Sequence, residues 1–355
     1  MRVALPIFLE RAGARACLAM PPGVLRRIVG PAWRSPEGLE LDLQVQVLLE
    51  LLRLTEQPDV WEGSLESARR YMDRASNTLA AKEVDVAMHD LTIPGPSGPL
   101  PARVYRAATR RRTDLSPGLV WFHGGGWVLG STTSAHRVCR SLAKRAGVVV
   151  VSVDYRLAPE HPFPAATLDA IAATRWILEA APTLGVDAGA VGVGGDSAGG
   201  NLAALVAQSA RGERRRPAFQ LLVYPATDLT RSHESHRLFA DGYLLTKRAM
   251  DWYLGHYLPD GASASDPAAS PFFATDLSGL PPALVLTAGF DPLRDEGVAY
   301  AEKMRAAGGE VEHVCAAGLI HGFLAMTGSM GQAERMLDLA ARRLRTALAR
   351  SGVEV

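Results

Sequence analysis

The run Gly195-Asp196-Ser197-Ala198-Gly199 sets a serine between two glycines, after an apolar stretch at Ala190 to Val193 and before a helical one at Asn201 to Ala210. A serine at a sharp strand-to-helix turn sits in strained backbone that only small neighbours tolerate, and the turn lifts its hydroxyl over the sheet edge. The same turn aims the N–H of Ala198 at whatever the hydroxyl attacks. A serine is a poor nucleophile until a base takes its proton, and the base needs an acid to orient it. Of the nine histidines, His321 suits the base. It lies in Gly318-Leu319-Ile320-His321-Gly322-Phe323, beyond an apolar run at Val311 to Cys315, on a loop at the same end of the sheet. His123 belongs to a glycine-rich motif, His89 to an early hairpin, and His233, His236 and His256 to a later insertion. Asp291, directly after the run Ala283 to Thr287, suits the acid. Asp295 and Glu296 are rivals, although both fit the first turn of a helix, where the dipole favours acids. Asp196 adjoins the serine and should point away from the base.

The chain order Ser197, Asp291, His321 is that of α/β-hydrolases, and not that of chymotrypsin-like or subtilisin-like enzymes. A further motif, His123-Gly124-Gly125-Gly126-Trp127, follows the apolar run Leu119 to Phe122. Its glycines leave backbone N–H groups bare, so a substrate oxygen can approach, and such donors stabilise the anion that develops in acyl transfer. A phosphate-binding loop is the competing reading. It fails because no lysine follows at the required spacing and the pattern is not Gly-x-Gly-x-x-Gly.

These residues need a scaffold that brings strand ends together. Two strands near Val84 to Ile93 and Leu100 to Arg106 flank Pro94-Gly95-Pro96-Ser97-Gly98 and read as a hairpin. Apolar runs at Leu119 to Phe122, Val148 to Val153, Ala190 to Val193, Phe219 to Tyr224 and Ala283 to Thr287 follow, mostly separated by helical stretches. That alternation implies an α/β fold with a mostly parallel sheet and right-handed crossovers, and runs this apolar suit strands buried on both faces. Residues 1–80 read as an N-terminal helical region, and 81–355 as the catalytic domain. Leu39 to Val47 alternates like a strand, but its continuation to Leu54 fits helical positions Leu41, Val45, Leu48 and Leu52, so a helix is expected. Between about 226 and 280 the alternation stops, and Tyr243, Trp252, Tyr253, Tyr257, Phe272 and Phe273 gather. This insertion and the N-terminal helices are expected to form a cap over the sheet; the competing reading is a surface insertion with its own small core.

The composition sets bounds. A chain of 355 residues holds one large α/β domain with an appendage, or two domains. With 48% hydrophobic and 21% charged residues, it has the make-up of a soluble enzyme. A formal net charge of +1 argues against a nucleic-acid partner. Cys17, Cys139 and Cys315 are far apart and odd in number, which suggests neither a disulfide framework nor a zinc site and fits a reducing cytoplasm. No cofactor, metal or organic, is called for. Val3 to Leu9 is apolar, but Glu10, Arg11 and Arg15 interrupt it, so an amphipathic helix is expected there rather than a secretory segment. No run has the length of a membrane span. The arginine runs Arg110 to Arg112 and Arg214 to Arg216 are expected to be solvated.

Taken with Asp154-Tyr155-Arg156-Leu157-Ala158-Pro159-Glu160-His161-Pro162-Phe163-Pro164 and Asp291-Pro292-Leu293-Arg294-Asp295-Glu296, these motifs resemble the bacterial hormone-sensitive-lipase-like, or family IV, esterases over roughly residues 84–350. The N-terminal region matches only in helical character. The resemblance implies an α/β-hydrolase fold with a helical cap, and a carboxylesterase acting on short- to medium-chain acyl esters. It implies Ser197 as nucleophile, His321 as base and Asp291 as orienting acid. It also implies an oxyanion hole from Gly125, Gly126 and Ala198, with Gly124 as an alternative donor. Residues 154–164 would buttress the glycine loop, and Trp127 would line the pocket or simply pack. The partners implied are a small-molecule ester and a second copy of the chain joined through an edge strand. An amidase or small-metabolite deacetylase could use the same residues. A non-catalytic receptor is the remaining alternative, since gibberellin receptors resemble this family; those lack the histidine that stands here as His321.

Overall fold

The computed structural model describes residues 7–55, 59–80, 82, 84–107, 115–259 and 263–351. Four helices come first: α1 (Ile7–Leu18), α2 (Pro22–Val29), α3 (Leu43–Thr55) and α4 (Leu65–Ala75). The helix expected from Leu39 starts at Leu43, because Leu39 to Asp42 is extended and Arg34 pairs with Glu40 across a short bridge. The Asp42 carboxylate then accepts the Gln44 N–H at 2.8 Å at the start of α3. The hairpin follows as β1 (Val86–Gly95) and β2 (Gly98–Ala107), in register from Val86 opposite Ala107 to Gly95 opposite Gly98.

Strands and helices then alternate: β3 (Ser116–Phe122), α5 (His136–Ala146), β4 (Val149–Val153), α6 (Ala165–Ala180), β5 (Val186–Asp196), α7 (Ala198–Ser209) and β6 (Gln220–Val223). After the insertion, which carries α8 (Ser235–Leu238) and α9 (Lys247–Tyr257), come β7 (Ala283–Phe290), α10 (Arg294–Ala306), β8 (Val311–Ile320) and α11 (Gly331–Ser351). The eight strands form one sheet in the order β1-β2-β4-β3-β5-β6-β7-β8. β2 runs antiparallel to both neighbours, and every pair from β4 to β8 is parallel. This is the α/β-hydrolase architecture, with helices on both faces.

Side chains alternate across a strand, and β3 displays it: Val120 and Phe122 join the core beneath α6 and α7, while Leu119 and Trp121 join the opposite core with α5, α11 and the N-terminal helices. Two boundaries differ from expectation and both matter to the site. Helix α7 begins at Ala198 rather than Asn201. Its first residues include two glycines set by close approach: a Cβ on Gly199 would overlap the Phe122 carbonyl, and one on Gly200 would lie 2.9 Å from Pro225. Strand β8 runs five residues past Cys315, so His321 stands directly on the strand end. Arg214, Arg215 and Arg216 are exposed, and Arg110 to Arg112 lie outside the described residues.

Candidate active site

Three strands carry the candidate residues Ser197, Asp291 and His321 at their C-terminal ends, where parallel α/β sheets place ligands. Ser197 links β5 to α7 with φ +57° and ψ −119°, a left-handed conformation rare for a residue with a side chain. Four hydrogen-bonding groups hold it there. Its N–H donates to the Val223 carbonyl at 2.9 Å, and its carbonyl accepts from Asn201 at 3.1 Å and Ala226 at 3.2 Å. Its hydroxyl lies 2.9 Å from His321 Nε2. The other imidazole nitrogen, Nδ1, lies 2.8 Å from Asp291 Oδ2. Asp291 is fully buried, and its second oxygen accepts the Leu293 N–H at 2.9 Å. The Tyr224 ring packs on the imidazole at 4.7 Å between centroids and fixes its tilt.

The rival acids are engaged elsewhere. Glu296 is buried, accepts the N–H groups of Thr227 and Asp228, and pairs with His236 at 2.6 Å. Asp295 takes the Ser235 N–H and the Arg294 guanidinium. His233 lies 3.4 Å from Asp228, His256 packs edge-on against Trp252, and His89 sits on β1.

The glycine loop lies beside this series. Gly125, Gly126 and Trp127 have φ of +123°, +61° and +61°. These left-handed angles fold the chain back so that the N–H groups of Val128 and Leu129 donate to the Gly125 carbonyl. A Cβ on Gly125 would overlap the Leu129 carbonyl, and one on Gly126 would overlap the Tyr253 ring from α9. The N–H groups of Gly125, Gly126 and Ala198 donate to no acceptor among the described residues. Gly124 does not share this freedom: its N–H donates to Asp196 Oδ1 at 3.1 Å.

The residues after β4 support the loop from below. The Tyr155 hydroxyl donates to the His123 carbonyl at 2.7 Å, and the two rings stack at 4.4 Å. The Ala158 N–H donates to the Trp127 carbonyl at 2.9 Å, and Asp154 accepts from Thr132. Burial lowers the His123 pKa and keeps that ring neutral. Trp127 is only 3% exposed and stacks on Tyr257 at 4.2 Å, so of its two expected roles packing is the one its contacts describe.

Two contributors were not foreseen from sequence. Asp196 points away from the base, as expected, but toward the glycine loop, which it ties to the elbow. Burial pushes its carboxyl from the ordinary 3.8 up to about 6, against the Gly124 N–H and the nearby His321, which favour the charged form. Tyr253 reaches over Gly126, and its hydroxyl has no hydrogen-bond partner among the described residues. The GDS triplet and the aromatic cluster at 252–257 were visible signals for both residues, but neither signal carries a direction.

A family model described as the alpha/beta hydrolase fold matches residues 119–325. The carboxylic ester hydrolase LipN of Mycobacterium tuberculosis (strain ATCC 25618 / H37Rv) is 44% identical over 296 residues, which is 81% of this chain and 78% of that protein. The ethyl acetate hydrolase of Pseudomonas putida is 37% identical over 284 residues, 79% of this chain and 89% of that protein. Among solved structures, an ester-hydrolase from the metagenome of Lake Arreo, complexed with a bipyridine phosphonate derivative, is 41% identical with a TM-score of 0.83, covering 86% of this chain and 98% of its own. A hyperthermophilic esterase from the archaeon Pyrobaculum calidifontis is likewise 41% identical, with a TM-score of 0.82 over 86% of this chain and 98% of its own. The chain belongs to the hormone-sensitive-lipase-like, or family IV, esterases of the α/β-hydrolase fold, and is a carboxylesterase of the serine hydrolase class.

Proposed function

We propose that the chain hydrolyses short- to medium-chain acyl esters of small molecules through an acyl-enzyme on Ser197. The unbroken series Ser197 Oγ, His321 Nε2, His321 Nδ1, Asp291 Oδ2, with spacings of 2.9 and 2.8 Å, carries this reading. His321 Nε2 takes the hydroxyl proton as Ser197 Oγ attacks the ester carbonyl. The carbonyl oxygen becomes an oxyanion that accepts the N–H groups of Gly125, Gly126 and Ala198. The tetrahedral intermediate collapses, the C–O bond to the alcohol breaks, and the alcohol leaves with the proton from His321. Water, deprotonated by the same imidazole, then attacks the acyl-enzyme and releases the acid and free Ser197. Asp291 holds the imidazole in the tautomer with hydrogen on Nδ1 and stabilises the imidazolium.

Residues 1–80 and the insertion at about 226–280 act as a cap in this reading. Three contacts support it: Tyr253 over Gly126, Tyr257 on Trp127, and Glu37 on Arg294 at the start of α10. A roof of aromatic rings gives the acyl pocket finite depth. Each added methylene gains about 0.8 kcal/mol while it is buried and nothing beyond that. Strand β8 ends the sheet with Cys315 and Ala317 exposed, and is the edge through which two copies would pair. No described helix is long and apolar enough to cross a membrane; the three unpaired cysteines suit the cytoplasmic setting of this reading.

A p-nitrophenyl ester panel from acetate to palmitate, with the matching anilide of the best acyl group, tests the proposal. The best substrate is expected between acetyl and octanoyl, and the ester is expected to outpace the anilide. A preference for palmitate or emulsified triglyceride would contradict it, and an equally fast anilide would move the reading to amide hydrolysis.

A further inference from the structure

The strained glycine turn must be held from outside, and the N-terminal region supplies a hold. Helix α4 presents Arg69 and Asp73 at an interval of four, a spacing that lines one helical face, and Asn77 follows in the turn just past the helix. All three meet the segment that leaves the glycine loop. Arg69 Nε donates to the Val128 carbonyl at 3.0 Å, Asp73 accepts the Ser131 hydroxyl at 2.7 Å, and the Asn77 amide donates to the Thr133 carbonyl at 3.0 Å. Arg69 reaches further. Its Nη2 donates to the Ala158 carbonyl at 3.0 Å, and both terminal nitrogens bind the Glu160 carboxylate at 2.8 and 2.7 Å. Ala158 in turn donates its N–H to the Trp127 carbonyl. One guanidinium thus grips both chain segments that bracket the turn, immediately past three consecutive left-handed residues.

We propose that Arg69 is a positioning residue for the oxyanion-binding turn, acting through the Val128 and Ala158 carbonyls. Left-handed φ at a tryptophan persists only where the surroundings over-determine it, and misplacing a reacting group by about 1 Å costs on the order of 10²-fold in rate. The guanidinium fork fits this task. A lysine offers a single charged point and cannot span two carbonyls and a carboxylate in fixed geometry. The proposal rests on the reading of Gly125 and Gly126 as oxyanion donors.

The test compares wild type with Arg69→Ala, Arg69→Lys and Glu160→Gln on p-nitrophenyl butyrate. It adds inhibition by a trifluoromethyl ketone, whose serine adduct carries an oxyanion. In Arg69→Ala, kcat is expected to fall about 10–100-fold, with KM within about twofold and the midpoint of the pH–rate profile unmoved, because the triad is intact. The ketone should weaken by the same factor as kcat/KM. Arg69→Lys should fall between, and Glu160→Gln, which leaves both carbonyls gripped, should stay near wild type. If Arg69→Ala does not fold, Arg69→Lys carries the same comparison. A kcat within twofold of wild type, a loss of kcat with unchanged ketone affinity, or a displaced pH profile would overturn the proposal. A wild-type enzyme that binds the trifluoromethyl ketone no better than its methyl counterpart would instead overturn the oxyanion reading beneath it.

Discussion

At the scale of single residues, a few polar contacts hold the proposed site, and their removal has unequal effects. Ser197→Ala should lower kcat by roughly 10⁴- to 10⁶-fold, and Asp291→Asn somewhat less, because the triad acts as a unit. His321→Ala should match the serine variant in activity but differ in stability. It leaves the fully buried Asp291 without its imidazole partner, and a buried acceptor left unpaired costs about 1–3 kcal/mol. Thermal unfolding of the two variants side by side checks this: equal melting temperatures would contradict it. Asp196 gives a second residue-scale expectation. Burial raises its pKa to about 6, so the folded protein holds this proton more tightly than the unfolded chain. Its contribution to stability is greatest below about 4, declines as pH rises toward 6, and is flat above. Asp196→Asn keeps an oxygen for the Gly124 N–H and removes the charge, so it should flatten that part of the stability curve and raise the melting temperature at pH 7. A curve of unchanged shape would contradict the assignment. Ser197, His321 and Asp291, the proposed nucleophile, base and acid, stand out in the sequence because each follows an apolar run that had to be a strand. The direction of Asp196 does not, because a one-residue offset from Ser197 excludes the base without naming what lies on the other side.

At the level of elements, apolar runs mark most strands, whereas tertiary contacts set the start of α7 and the end of β8. β3, β4 and β7 follow from apolar runs buried on both faces. α7 starts early because Gly199 and Gly200, weak helix formers, are selected by the Phe122 carbonyl and Pro225 beneath them; such tertiary contact leaves no periodic trace. β8 continues through Ala316, Ala317 and Gly318, residues that do not favour strands, because it pairs with β7 as far as Phe290 opposite Ile320. The insertion showed only an aromatic surplus. In the structure α9 aligns Tyr253 over Gly126 and Tyr257 on Trp127, and such ring pairs contribute about 0.5–1.5 kcal/mol beyond burial. The helix also sets the roof of the proposed pocket. Tyr253→Ala should therefore raise kcat/KM for the octanoyl ester relative to the acetyl ester by at least about fourfold, the equivalent of one newly buried methylene. A ratio equal to that of wild type would place the acyl chain elsewhere.

At the scale of the whole molecule, one continuous sheet brings Ser197, Asp291 and His321 to one end, and helical segments from the N-terminal region and the insertion meet there. Arg294 is 10% exposed in its side chain and joins Glu37 of the N-terminal region to a point three residues past Asp291. Asn201, in the first turn of α7, donates to the carbonyls of Ala226 and Ala269, fastening two points of the insertion to the elbow. If the pocket is roofed as proposed, it takes up dissolved monomers, and the rate should saturate smoothly as an ester approaches its solubility limit. A jump at that limit would indicate a lid opened by an interface.

If Ser197 alone carries the acyl group, an organophosphate that mimics the ester must label that serine and no other residue. Wild-type protein treated with a diethyl p-nitrophenyl phosphate should take up one diethylphosphoryl group per chain, on the peptide bearing Ser197, with loss of esterase activity in proportion. Ser197→Ala should take up none. A label on any other residue, or full labelling without loss of activity, would contradict the account.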